Sequence, residues 1–211
     1  PAVYRQIEDE GVVTGDRVNG LLDGKTGEWY SRFDTRAPAR KYGLPLTLVI
    51  SRYRLLDILR EALPEGACET GQVATSYEKL PGGRAALNFE GGRREEGALV
   101  VAADGIRSAL RQQMKGDLPT YSGYSCYTAT CKFEAEDVDT VGYQVFLGYQ
   151  QYFVASDVGD GLTQFYAFCK RESGSEKRER CMKEELLDFF GDWCPAVVER
   201  IEATLPEDIE C

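Results

Sequence analysis

Asp104, Gly105, Arg107, Ser108 and Arg111 crowd into one short segment, directly behind the unbroken apolar run Ala-Leu-Val-Val-Ala-Ala at 98–103. These residue types suit a phosphate-bearing ligand: guanidinium groups match phosphate geometry, a carboxylate and a hydroxyl accept from helix-end amides, and glycine lets backbone come close. A run without alternation predicts a strand buried on both faces of a parallel sheet. Small ligands bind at the carboxyl ends of such strands. Asp104 would cap the helix that follows, and Arg107 would fall in its first turn, where the macrodipole disfavours a cation by roughly 0.3–1 kcal/mol unless an anion lies nearby. A strand, turn and helix with an ordinary Asp cap would show the same residues.

Arg52 presents the same conflict. It follows Val49-Ile50-Ser51 where a helix should begin, and Arg54 stands in the first turn, so two cations occupy a helix end that prefers anions. A bound phosphate would resolve the conflict; so would pairing of Arg52 with Asp57 or Glu61.

The elements that must position these groups can be read from periodicity. Residues 11–34 alternate short apolar runs with the turn pairs Thr14-Gly15, Asn19-Gly20, Asp23-Gly24 and Thr26-Gly27, a meander of two or three short strands. Leu48-Val49-Ile50 leads into a helix with an apolar stripe of Leu55, Leu56, Leu59 and Leu63, stopped by Pro64. Residues 71–114 read as strand, hairpin, buried strand and helix, with Pro81-Gly82-Gly83 and Gly91-Gly92 as turns. Beyond Pro119 three long aromatic strands are expected at 121–133, 143–154 and 162–170, with a turn at Gly159-Asp160-Gly161. The charged run 170–183 reads as a solvated connection, followed by two amphipathic helices carrying Leu186, Leu187 and Phe190, then Val197, Val198 and Ile201 after Pro195. The strand aromatics, among them Tyr121, Tyr124, Tyr127, Tyr143, Phe146, Tyr149, Tyr152, Phe153, Phe165, Tyr166 and Phe168, either fill a core or wall a ligand groove.

Composition narrows the chemistry. The 211 residues are enough for a real core. A net charge of −10 argues against nucleic acid or an anionic membrane as a partner, so any apolar ligand must be met through apolar grooves. Peripheral membrane association and oligomeric state are left open. No stretch is long and apolar enough to span a bilayer. Seven scattered cysteines without a Cys-x-x-Cys pair suggest free thiols, and Cys126 and Cys131 should point to opposite faces of a strand. There is no histidine, which removes His-based triads, His-ligated haem and most zinc chemistry from this chain; no metal site is expected, and an enzyme of this composition would leave the hard step to a cofactor.

The segment Asp104, Gly105, Ser108 and Arg111 after an apolar strand resembles the second flavin fingerprint of the aromatic-hydroxylase class of flavoprotein monooxygenases. Within that class the chain resembles the zeaxanthin epoxidase family. The resemblance rests on Val13-Thr-Gly-Asp-Arg-Val-Asn-Gly-Leu-Leu-Asp-Gly, Trp29-Tyr, Phe33-Asp-Thr, Gly43-Leu-Pro and Val49-Ile-Ser-Arg, then on Tyr121-Ser-Gly-Tyr-Ser-Cys-Tyr-Thr, Val141-Gly-Tyr-Gln-Val-Phe-Leu-Gly, Gln151-Tyr-Phe-Val-Ala-Ser-Asp-Val-Gly and Phe165-Tyr-Ala-Phe. Only about 79–97 and 170–182 diverge.

The resemblance implies a mixed α/β fold, part of an FAD/NAD(P)-binding Rossmann-like domain interleaved with an antiparallel sheet domain for substrate. It implies a division into 1–38, a β-meander of the substrate domain; 39–117, the second half of the FAD domain; and 118–211, the aromatic sheet with its helices. FAD would be held by Arg52, Val73, Asp104, Gly105, Arg107, Ser108 and Arg111, with Val73 acting through backbone and no side chain assigned to catalysis. The class's Gly-x-Gly-x-x-Gly fingerprint and its ribityl Gly-Asp motif are not found here, so the chain is expected to be an internal stretch that binds FAD weakly or not at all when alone. The implied reaction is epoxidation of a ring double bond of a hydroxylated carotenoid by dioxygen through a flavin hydroperoxide. NAD(P)H, directly or by way of ferredoxin, would be the reductant, and the plastid the compartment. Two rivals stand beside it: a hydroxylase of the same class acting on a small phenol, and a non-catalytic carotenoid or lipid carrier.

Overall fold

The computed structural model of the chain describes residues 2–137, 139–172 and 181–211. In chain order the elements are α1 (Ala2–Glu10), β1 (Val12–Val13), β2 (Val18–Asp23), β3 (Trp29–Phe33), α2 (Arg36–Tyr42), β4 (Leu48–Val49), α3 (Arg52–Glu61), β5 (Ala74–Lys79), β6 (Ala85–Phe89), β7 (Arg94–Gly97), α4 (Ala109–Lys115), β8 (Tyr124–Lys132), β9 (Val141–Gly148), β10 (Gln151–Gly159), β11 (Leu162–Lys170), α5 (Met182–Phe190) and α6 (Pro195–Glu202). Mixed α/β architecture is therefore what the chain adopts. It divides into two units, one made of residues 1–62 and 123–211, the other of 63–122.

The larger unit is built on a six-stranded sheet in the order β3-β2-β9-β10-β11-β8. Only β2 and β9 run parallel; the other pairs are antiparallel. Asp160-Gly161 closes the β10–β11 hairpin with φ of 55° and 69°, the left-handed geometry that matches strand twist in a two-residue loop. The expected single strand over 143–154 is instead the hairpin β9–β10. Its turn, Tyr149-Gln150, carries no Gly or Asn-Gly signal and is made by Gln150 entering the left-handed region at φ 57°, so the aromatic pattern ran through it unbroken.

Side chains alternate across a strand, and this splits the aromatics between two faces. Tyr127, Phe146, Phe153 and Phe165 are buried on one face, where α5 contributes Leu186 and Phe190 and α6 contributes Val197 and Ile201 at i, i+4 spacing. Phe153 stacks on Phe165 at 4.9 Å and meets Phe190 edge-on at 5.8 Å; Phe190 meets Trp193 at 4.8 Å. The indole lies against backbone: a Cβ at Gly24 or Gly148 would come within 2.3 or 2.6 Å of its ring. Cys131 is buried on this face and Cys126 points to the other, as their spacing requires.

Two short strands and two helices escape or bend the periodicity argument. β1 pairs not with β2 but with β4, Val12 opposite Val49. The unpredicted α1 packs on α3, turning Ile58 inward and leaving Leu56, Leu59 and Leu63 nearly half exposed, so the leucine stripe is not the buried face. Helix α2 was also not foreseen. The charged run falls largely on 173–180, outside the described residues. No helix among the described residues is long and apolar enough to cross a membrane, and no cluster of metal-ligating side chains occurs among them.

The unit 63–122 is a three-stranded antiparallel sheet, β5-β6-β7, with Gly82 and Gly91 at φ 77° and 78° in its turns. Helix α4 closes the open edge of β5: the Gln113 amide accepts from Tyr77 N–H and donates to Tyr77 C=O, both at 2.8 Å. The buried strand expected at 98–103 does not form. Those residues pair with no strand among the described residues, and Leu99 and Val101 are 77% and 76% exposed. Apolar character marks a segment for burial, but a parallel strand exists only where neighbouring strands supply its hydrogen bonds, and the hairpins of this unit close without it.

Candidate functional site

On the face of the larger sheet opposite α5 and α6 stand Tyr124, Tyr143, Tyr152, Tyr166 and Phe168. Tyr152 stacks on its cross-strand partner Phe168 at 4.2 Å, and Tyr124 tilts against Tyr152 at 6.4 Å. The segment Leu48-Val49-Ile50 lies over this face and encloses, with Tyr143, Val154, Ser156, Gln164 and Tyr166, a cavity of about 270 Å³ that no charged side chain lines. Burial, and next the neighbouring Tyr166, pushes the Tyr143 hydroxyl above its ordinary value, so it stays neutral.

A second cavity, of about 480 Å³, adjoins the same wall and is polar. Arg52 and Tyr53, at the start of α3, face Thr128, Thr130, Gln164 and Tyr166, with Glu207, Asp208 and Glu210 along the rim. Tyr53 donates to Glu210 Oε1 at 2.9 Å, which raises its pKa. Sequence did not single out Gln164, Ser156 or Tyr53 as site residues: Gln164 and Ser156 are polar positions within strands, and Tyr53 lies on a helix, and none carries a signal until the element's neighbours are known.

Among the described residues Arg52 makes no ion pair, with Asp57 and Glu61 included. Arg54 behaves differently. It lies against Glu10 of α1 through Nε and, at 2.7 Å, through Nη2, with Glu61 3.5 Å away, so its charge is answered within the fold and needs no phosphate. The helix α1 that supplies Glu10 had no sequence signature, which is why the pairing was missed.

In the other unit, a turn closed by Ser108 N–H on Gly105 C=O delays the helix, and α4 begins only at Ala109. Ser108, not Asp104, is its N-cap: Ser108 Oγ accepts from Arg111 N–H at 2.9 Å. Asp104 sits behind it. The Ser108 hydroxyl, and then nearby backbone amides, hold its carboxyl below the usual carboxylate range. Arg107 therefore precedes the helix instead of occupying its first turn, and it makes no ion pair among the described residues. Arg111 is paired with Asp117 at 2.8 Å. Gly105 has φ 80°, with nothing within 4 Å of where a Cβ would stand. Val73 lies just ahead of β5, its carbonyl accepting from Glu90 N–H at 2.9 Å. Arg52 thus belongs to one unit, and Val73, Asp104, Gly105, Arg107, Ser108 and Arg111 to the other.

One buried polar cluster belongs to the fold and not to either cavity. Tyr127 donates to Glu185 Oε2 at 2.7 Å, and Arg171 pairs with Glu185 Oε1 at 2.8 Å and also meets the Tyr127 hydroxyl. Each member answers another, as buried charge requires.

No family model matches the chain. By sequence it is 44% identical over 208 residues to the chloroplastic zeaxanthin epoxidase of Arabidopsis thaliana, 46% over 209 to that of Oryza sativa subsp. japonica and 46% over 208 to that of Spinacia oleracea. These alignments take in 98–99% of this chain but 31–32% of each relative, so the chain spans about a third of their length. By fold it is similar to Klebsiella pneumoniae HpxO complexed with FAD and uric acid, at a TM-score of 0.79 and 22% identity over 97% of this chain and 52% of that one. A salicylate hydroxylase substrate complex gives 0.65 and 20% over 89% of this chain and 50% of that one.

Proposed function

We propose that this chain, alike along nearly its whole length to a stretch of the zeaxanthin epoxidases, serves as part of an FAD-dependent monooxygenase that epoxidises the ring of a hydroxylated carotenoid. The observation that carries the reading is that likeness, 44–46% identity over at least 98% of the chain to enzymes of one name. The cavity under Leu48–Ile50 supports it. Its lining is apolar surface with three hydroxyls, one amide and no charged side chain, which suits a largely apolar ring that bears a hydroxyl.

FAD would supply the activation of dioxygen, with NAD(P)H, directly or through ferredoxin, as the source of electrons and the plastid as the setting. Arg52 in the larger unit, and separately Arg107 in the unit 63–122, are each without an ion pair among the described residues and would each offer a cation to a phosphate group, and Gly105 leaves room for close approach. Asp104 and Ser108 would shape the turn before α4, where Ser108 meets the Asp104 carboxyl and Arg111 N–H, and Arg111, its charge paired with Asp117 past the end of that helix, would steady α4. Val73 would offer backbone. No step asks a side chain of this chain for acid or base work. Its task is to seat the ring on the tyrosine face and exclude water there.

The test is a chimera in which this chain replaces its counterpart in the Oryza enzyme. A folded, yellow protein that converts zeaxanthin to an epoxide is expected, and Arg52→Ala in it should weaken FAD binding by about tenfold or more. A folded chimera that holds flavin but makes no epoxide would sink the substrate assignment; one without flavin would sink the cofactor assignment.

A further inference from the structure

Gln164 and Tyr166 line both cavities on the open sheet face, standing two residues apart on β11 and therefore side by side on one surface. On one side of them is the uncharged space under Leu48–Ile50; on the other is the polar space with Arg52 and the carboxylates of Glu207, Asp208 and Glu210. The Gln164 amide donates to the Tyr166 hydroxyl. That bond spends one donor and one acceptor. It leaves the Tyr166 O–H free to donate and the Gln164 carbonyl oxygen free to accept, and turning the amide over exchanges the roles but still leaves one of each. A ligand hydroxyl, which both donates and accepts, is the group that such a pair completes.

We propose that Gln164 and Tyr166 form a hydroxyl-reading pair at the boundary of the two cavities, selecting an apolar ring that carries one alcohol over the same ring without it. The inference rests on the proposed function and deepens it by naming the side chains that would set specificity. They are positioning residues, since neither is asked to transfer an atom. The apolar body lies against Val49, Ile50 and Val154, where burial is favourable but blind to a hydroxyl. Selectivity then falls to the pair: an analogue lacking the alcohol would leave its donor and acceptor unanswered in a partly dried site.

The experiment uses the 211-residue chain and two soluble probes, 3-hydroxy-β-ionone and β-ionone, titrated by NMR. The wild-type chain should prefer the hydroxylated probe by about tenfold, the combined effect of two net hydrogen bonds. Gln164→Met and Tyr166→Phe should each erase most of that preference, by weakening the hydroxylated probe and relieving the unanswered polar groups that β-ionone meets, while leaving the melting temperature unchanged. Should Gln164→Met fail to fold, Tyr166→Phe, which removes a single oxygen, decides the matter alone. Equal affinity of the wild type for both probes, or a preference that survives both substitutions, overturns the pair but leaves the groove. Binding of neither probe overturns the groove reading together with it.

Discussion

Tyr152 and Phe168 are direct partners across β10 and β11, and their rings stack at 4.2 Å, 12° from parallel, on the face of the sheet opposite the buried stack of Phe153 on Phe165. One sheet thus carries two aromatic layers that differ in exposure. The layer under the helices is a core, and the layer facing Leu48–Ile50 borders cavities. Adjacent residues of one strand therefore have different jobs.

That division predicts opposite outcomes for neighbours. Phe165→Ala should destabilise the chain by about 3–5 kcal/mol, the usual cost of emptying a buried phenylalanine. Tyr166→Phe should stay within about 0.5 kcal/mol. Denaturant midpoints at constant slope measure both, and similar losses at the two positions would contradict the two-layer arrangement.

The tryptophan wedge makes a second prediction. Because a Cβ at Gly24 or Gly148 would stand 2.3 or 2.6 Å from the Trp193 ring, Gly24→Ala and Gly148→Ala should each cost about 1–3 kcal/mol through overpacking. Adding Trp193→Leu should recover part of the loss in each double variant. Penalties that simply add in the doubles would place the strain elsewhere.

Alkaline pH should expose the buried thiols. Burial pushes Cys169 from its ordinary 9.0 up to about 12. The unfolded thiol therefore loses its proton from about pH 9 while the folded one keeps it, so the folded state binds more protons across that window and stability falls as pH rises. The contribution is fully present below pH 9 and lost as pH passes 12. Cys169→Ala should flatten this part of the curve of melting temperature against pH, and an unchanged slope would mean that the thiol is not shielded. Thiol reagents should label Cys68, Cys181 and Cys211 in the native chain well before Cys131, Cys169 and Cys194.

At the turn before α4, Ser108 and Asp104 should separate by readout. Ser108→Ala removes the N-cap and should cost about 1 kcal/mol, seen as faster amide exchange across 109–115. Asp104→Asn keeps an acceptor for the Ser108 hydroxyl and should melt close to wild type. In the chimera, its bound-flavin ratio should nonetheless drop. A variant that keeps both stability and flavin would reduce Asp104 to a partner of Ser108.

The elements with strong periodicity were legible in the chain itself. Pro195 at a helix start, Gly191 at a helix end, the i, i+4 pairs Leu186–Phe190 and Val197–Ile201, and the Asp160-Gly161 turn all act locally, and each stands where the pattern puts it. The residues of 104–111 lie in one turn and helix start, as their sequence spacing puts them. What the sequence by itself determined, then, is which segments alternate, which residues can cap or turn, and which chain types this one is like.

Tertiary structure decided the rest, because those questions depend on neighbours distant in sequence. The same apolar character that predicts a buried strand at 98–103 yields an exposed segment there, since no strand of its unit offers hydrogen bonds to it. Arg54 and Arg52 look alike in sequence, yet Glu10 reaches only one of them. Gln164, with Tyr166 two places along its own strand, is an unremarkable polar residue until pairing brings Thr130 opposite it and the fold brings Leu48–Ile50 above it. Hydrophobic period and turn chemistry are properties of adjacent residues, whereas strand partners, ion pairs and cavity walls are properties of surfaces that only the fold brings together.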